Sequence, residues 1–139
     1  MTADRSIPHQ KTRDHHAGET AEDYVEAVYE IISDKGECRV KDLADRFNVS
    51  HVTVSRIVGR LQTKNLLQTE PYRPITLTQS GKKLACETKK KHDIVLKFLL
   101  AIGVDAKTAE IDSEGIEHHV SSKTLSAMKR FIRKNAAQN

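Results

Sequence analysis

The chain has 139 residues, 37% hydrophobic and only 4% aromatic with no Trp, so it can bury one aliphatic core or two small ones. Its 23 Lys and Arg against 19 Asp and Glu leave a formal charge of +4. No apolar run is long enough to cross a bilayer, the polar N-terminus lacks a secretion signal, and Cys38 and Cys86 are too isolated to staple a fold. A membrane-spanning or disulfide-built secreted protein is therefore excluded, and a cytoplasmic protein is expected.

Residues 1–18 carry almost no apolar side chains and read as a flexible N-terminal arm. His9 and Asp14-His15-His16 within it offer weak metal ligands, but a polar tail explains them more simply. A first helix is expected from Glu19 or Thr20 to about Lys35. Ala21, Tyr24, Val25, Val28, Ile31 and Ile32 recur along it at helical spacing, and Gly36 ends it. Asp23 and Glu26 lie three residues apart at the edge of this stripe. Acids near a helix N-terminus are favoured by the macrodipole, which accounts for both without further function.

Val40–Phe47 reads as a short helix with Val40, Leu43, Ala44 and Phe47 inward. Asn48-Val49-Ser50 turns the chain, and the Ser50 hydroxyl can cap a second helix that runs to about Asn65. Val54, Ile57, Val58 and Leu61 line the inner face of this second helix. Two short helices joined by such a turn form a helix-turn-helix. The outer face carries Ser50, His51, Thr53, Ser55, Arg56 and Arg60, with no acid. Small hydroxyls and arginines suit phosphate contacts and the guanine edge in a DNA major groove. A surface helix that merely lacks acids has the same composition, but the motif around it favours groove binding. Leu66–Glu70 and Ile75–Leu77 then read as two short strands flanking Pro71-Tyr72-Arg73-Pro74, the wing of a winged helix. Arg73 at the wing tip suits a phosphate or minor-groove contact, or serves only as a solubilising turn charge.

Thr78-Gln79-Ser80-Gly81 opens a long helix expected to reach about Ile102, with Leu84, Val95, Phe98, Leu99 and Ile102 inward and Gly103 just beyond. His92 falls on this apolar stripe, where a lone histidine is usually a packed core residue. Asp105 caps the next helix, which carries Glu114, Glu117 and His118. Residues three and four apart share a helix face, so these three project two carboxylates and an imidazole to one side. Buried acids without a partner are strongly disfavoured. A divalent cation such as manganese is one partner that suits oxygen donors plus one nitrogen, and a solvated helix face is the alternative. Gly115 inside this helix costs about 1 kcal/mol relative to Ala, which suggests a close backbone approach or a local distortion. A last helix, about Ser122–Asn135, presents Leu125, Met128, Phe131 and Ile132, an apolar stripe suited to closing the second unit or to a subunit contact. Acids gather in Glu19–Glu30 and Asp105–Glu117, and bases around Arg56–Arg73 and Lys82–Lys91. Segregation of this kind suits a polyanion partner, and equally a solvated surface.

The Asp-Tyr-Val-Glu of the first helix, the winged helix-turn-helix, Lys91-His92 before an apolar helix, and Glu114-Gly115-Ile116-Glu117-His118-His119 occur together in order. This combination resembles the manganese transport regulators of the diphtheria toxin repressor and iron-dependent regulator family, over about Thr20–Ile132. The resemblance implies a mostly α fold. A winged helix-turn-helix DNA-binding domain at 19–77 would precede an all-helical metal-binding and dimerisation domain at 78–139. It assigns metal-ligand roles to Asp23, Glu26, His92, Glu114, Glu117 and His118, and leaves His119 outside the ligand set. It also implies two Mn2+ ions per subunit, a homodimer, double-stranded operator DNA as partner, and no organic cofactor. Iron-type relatives place Met and Cys where this chain has Asp23 and Glu117, and hard oxygen donors favour manganese. The implied function is manganese-responsive repression of uptake or homeostasis genes. The alternative is a winged-helix regulator that senses iron, zinc or a small organic ligand. A metalloenzyme is disfavoured, because the chain has neither H-E-x-x-H nor the paired Glu-x-x-His motifs of di-iron bundles.

Overall fold

The computed structural model describes the backbone of Ser6–Gln138 and the side chains of residues 20–136. Its elements, among the described residues, are α1 (Ser6–Lys35), α2 (Val40–Phe47), α3 (His51–Thr63), β1 (Leu67–Gln68), β2 (Thr76–Leu77), α4 (Gln79–Ala101), α5 (Ala106–Ile116) and α6 (Ser122–Gln138). Residues 16–86 form one compact unit and residues 87–139 the body of another, so the units part within α4.

The first unit is built on the stripe of α1. Ala21, Tyr24, Val25, Ala27, Val28 and Ile31 are buried there, with Ile32 packed at the margin. Against them lie Leu43 and Ala44 of α2, Val54, Val58 and Leu61 of α3, and Leu67, Ile75, Cys38 and Ala85. Tyr24 stacks on Phe47 with ring centroids 4.5 Å apart. α1 begins at Ser6 rather than near Glu19, so Ser6–Gly18 is helical where an arm was expected; Met1–Arg5 lie outside the described residues. The physical reason is local: Pro8 falls in the first turn, where its missing N–H costs nothing. No proline follows it within the helix, and the single Gly18 costs only about 1 kcal/mol.

Local chemistry fixes the ends of the DNA-type helices. The Asp42 carboxylate accepts from the Arg39 backbone N–H at 2.8 Å and from Lys35 Nζ at 2.6 Å, tying the start of α2 to the end of α1. Asn48 turns the chain out of α2 in the left-handed region (φ 53°), which asparagine tolerates. Ser50 Oγ accepts from the Thr53 N–H at 3.1 Å and caps α3 as expected. β1 and β2 pair antiparallel, Leu67 with Leu77 and Gln68 with Thr76. An isolated bridge from Cys38 to Ile75 adds a third short contact to the sheet. At the wing tip the left-handed residue is Tyr72 (φ 65°), almost fully exposed.

The strands lead into α4 through a knot around Thr78. Its hydroxyl donates to the Asn65 carbonyl at 2.7 Å and accepts from the Gly81 N–H at 2.9 Å. A Cβ at Gly81 would overlap the Leu66 carbonyl, so only glycine fits where α4 passes that carbonyl.

In the second unit Val95 of α4 and Ala109 of α5 are buried, as are Thr88, Ser113 and Glu117. Ile102, expected inward, is instead 52% exposed. The helix closes at Ala101, and the turn through Gly103 (φ 99°) carries Ile102 away from the stripe. Gly115 meets nothing within 4 Å where a Cβ would stand, so the expected close approach is absent. The helix breaks just beyond it, and Glu117 and His118 fall in a tightened turn in which the His118 N–H reaches Gly115 O at 3.4 Å. Phe131 of α6 meets Phe98 of α4 edge to face at 5.4 Å, so part of the α6 stripe closes this unit. Cys38 is buried and Cys86 exposed, and neither is in a disulfide. No helix among the described residues is long and apolar enough to cross a membrane.

Candidate metal centre and nucleic-acid interface

His92 projects from α4 toward the C-terminal end of α5. Its Nδ1 lies 2.7 Å from Glu117 Oε2 and 3.8 Å from Glu114 Oε1. One ligand atom from each of His92, Glu114 and Glu117 lies within 4.8 Å of the others. His118 Nε2 is 3.4 Å from Glu117 Oε1, and both side chains are 1% exposed. The second unit thus gathers four of the six expected metal residues. Asp23 and Glu26 sit half-buried on α1 in the first unit, beside its buried stripe. The side chains of His9, Asp14, His15 and His16 lie outside the described residues.

The electrostatics of the cluster follow from burial. Burial pushes the Glu117 carboxyl up to about 7, against the downward pull of His92 and His118, with Glu114 adding to the rise. For His92, burial acts to lower the imidazole, but Glu117, Glu114 and Glu110 outweigh it and the net direction is up. The group therefore retains protons near neutrality in place of a positive partner. A buried carboxylate beside an imidazole and a second, exposed carboxylate fits a divalent cation, which would take the place of the proton on Glu117.

Glu110 was absent from the sequence expectation, yet its Oε2 lies 3.7 Å from His92 Nε2. The signal was present: Glu110, Glu114 and Glu117 are spaced i, i+4, i+7, a single helical stripe.

On the DNA-type face, His51, Ser55, Arg56 and Arg60 are exposed along α3. Ser50 and Thr53 are engaged with each other, their hydroxyls 2.9 Å apart at the cap. Arg73 stands exposed on the wing, 3.5 Å from Glu70. Val52 was not anticipated. It is 79% exposed on the recognition helix, where an apolar side chain suits a thymine methyl.

The family model described as "Iron dependent repressor, N-terminal DNA binding domain" matches residues 16–75, and "Iron dependent repressor, metal binding and dimerisation domain" matches residues 78–137. The chain belongs to the iron-dependent repressor family. Within this family it is 42% identical over 129 residues to "Transcriptional regulator MntR" of Escherichia coli O6:H1, across 93% of this chain and 83% of that one. It is 38% identical over 104 residues to "HTH-type transcriptional regulator MntR" of Lysinibacillus sphaericus, across 75% of each. The solved "Structure of the manganese regulator SloR" superposes with a TM-score of 0.71 at 25% identity, over 81% of this chain and 53% of that one. The chain therefore spans about half the length of that iron-dependent repressor relative. The mostly α fold with a winged helix-turn-helix is that of the family. Its members are transcriptional repressors, not enzymes.

Proposed function

We propose that this chain is a manganese-responsive transcriptional repressor that binds double-stranded operator DNA as a metal-loaded homodimer and controls manganese uptake or homeostasis genes. The observation that carries it is the meeting of His92, Glu114 and Glu117 in a chain that superposes over 81% of its length on a solved protein named as a manganese regulator. The expected domains are residues 19–77 for DNA and residues 78–139 for metal and dimerisation. Asp23, Glu26, His92, Glu114, Glu117 and His118 are assigned as ligands for two Mn2+ per subunit. Their carboxylates and imidazoles match manganese better than sulfur-seeking metals. When bound, the metal supplies the positive charge that lets the buried Glu117 stay ionised beside the other acids.

The chain's own residues do the rest. Metal occupancy and DNA binding are thereby coupled. In the homodimer this sets two α3 helices about one DNA turn apart, roughly 34 Å. Ser50, His51, Thr53, Ser55, Arg56 and Arg60 face the major groove, and Arg73 reaches the flanking backbone. No organic cofactor is expected, and the cytoplasm is the proposed location. A coupling of about 1–3 kcal/mol is typical of such switches. Operator binding measured with and without manganese tests the reading. The native chain should bind at least about fivefold more tightly with the metal, and Glu117→Ala should abolish that difference. Equal affinity in both conditions would defeat the reading.

A further inference from the structure

Glu110 lies outside the proposed ligand set, yet it faces the same imidazole. His92 meets the acidic stripe of α5 with both ring nitrogens. Nδ1 is enclosed by Glu117 Oε2 at 2.7 Å and Glu114 Oε1 at 3.8 Å, while Nε2 points to Glu110 Oε2 at 3.7 Å. A neutral imidazole offers a lone pair on one nitrogen only while the other carries the proton, and the hydrogen bond at that second nitrogen decides which is which. The edge of the ring among the clustered carboxylates is Nδ1. The edge facing a single carboxylate is Nε2.

We infer that Glu110 is a positioning residue whose carboxylate accepts the His92 Nε2–H, turning the Nδ1 lone pair toward a cation held with Glu114 and Glu117. This role rests on the metal-binding reading above and extends it to a residue that touches no metal. The 3.7 Å separation exceeds a direct hydrogen bond, and Glu110, with 60% of its side chain exposed, has room to rotate the remaining distance. The His92 side chain is only 17% exposed and cannot turn as readily, so the carboxylate does the adjusting. Such outer carboxylates hold ring orientation and raise ligand basicity, and their loss commonly weakens metal binding by about 10–100-fold.

The test uses the full chain and titrates it with Mn(II), following the free-ion signal by electron paramagnetic resonance. Glu110→Ala should bind about tenfold more weakly, while Glu110→Gln, which keeps an acceptor oxygen at the same reach, should recover most of that loss. Spin-echo spectra of the loaded protein should show nitrogen coupling from His92 in the native and Gln forms and a diminished one in the Ala form. Native-like binding by Glu110→Ala overturns the role. So does equal weakness of the Gln and Ala variants, which would mean that Glu110 contributes charge rather than orientation. Glu117→Ala in the same titration separates the two claims. If it too binds manganese like the native chain, the metal reading itself falls; if it loses binding while Glu110→Ala does not, only the positioning role falls.

Discussion

A carboxyl group taken out of water holds its proton, and Glu117, 1% exposed, is pushed by burial to about 7 from an ordinary 4.5. The folded chain therefore binds a proton that the unfolded chain has already released at intermediate pH. The sign follows: this group makes the metal-free protein less stable as pH rises from about 4.5 to about 7. A cation must displace that proton, so manganese affinity should climb with pH through the same window and level off above it. Calorimetry at pH 6.5 in two buffers of different ionisation enthalpy should detect about one proton released per chain on metal binding. If affinity is flat between pH 6 and 8, the proton is not in competition with the metal. At this scale helical spacing pointed to Glu114 and Glu117, which meet at His92, although Glu117 and His118 fall in the turn beyond α5. The sequence carried the spacing of Glu110 with Glu114 and Glu117, but an exposed acid in an acidic helix looks like any solvated charge until His92 is placed opposite it. At Gly115 the expected alternatives resolve to a local distortion rather than a close approach, since it precedes the turn that carries Glu117 and His118.

Single contacts at element ends determine much of the fold. Gly81 lets α4 pass over the Leu66 carbonyl, and Gly81→Ala should lower stability by about 2 kcal/mol or more through the overlap. A chemical denaturation curve reads this, and a loss below about 0.5 kcal/mol would mean that the crossing can relax. Ser50→Ala removes the cap of α3 and should cost about 1 kcal/mol. Asp105 accepts from the Thr108 N–H at 3.0 Å, and the hydrogen bonds from Thr108 hold its carboxyl below the ordinary 3.8. A depressed value contributes stability above the unfolded pKa that is lost as pH falls through the folded one. Acid titration of Asp105→Asn should therefore show a smaller stability loss below pH 4 than the native chain. These caps were readable in advance, since Ser50 and Asp105 are residue types that the positions demand. The start of α1 was not. Polar residues without a hydrophobic stripe resemble a coil, and nothing in periodicity distinguishes them from a helix extended from a firmly packed one.

For the molecule as a whole, the order of elements and the winged helix-turn-helix followed from periodicity and turn residues, whereas the role of the helical second unit came from the resemblance. Hydrophobic patterning sees α4 as a single helix from Gln79 to Ala101, whereas the two compact units divide inside it. The proposed DNA contacts carry a salt signature. Replacing Arg56 or Arg60 by Ala should weaken operator binding, and each lost phosphate contact should reduce the slope of log affinity against log salt by about one. Val52→Ala should leave that slope unchanged and weaken only operators with a thymine at the facing position. A changed slope for Val52→Ala would remove the methyl contact from consideration.

The two cysteines form a natural chemical contrast. Burial pushes the Cys38 thiol up to about 11, with Asp42 adding to it, whereas Cys86 is exposed on α4. Thiolate is the reacting species, so a maleimide dye should attach once to the native chain, at Cys86, and twice after denaturation. Mass spectrometry would count the adducts. The chain thus supplies its own single fluorophore anchor near the junction of the units, and no residue need be replaced to follow its motions by light.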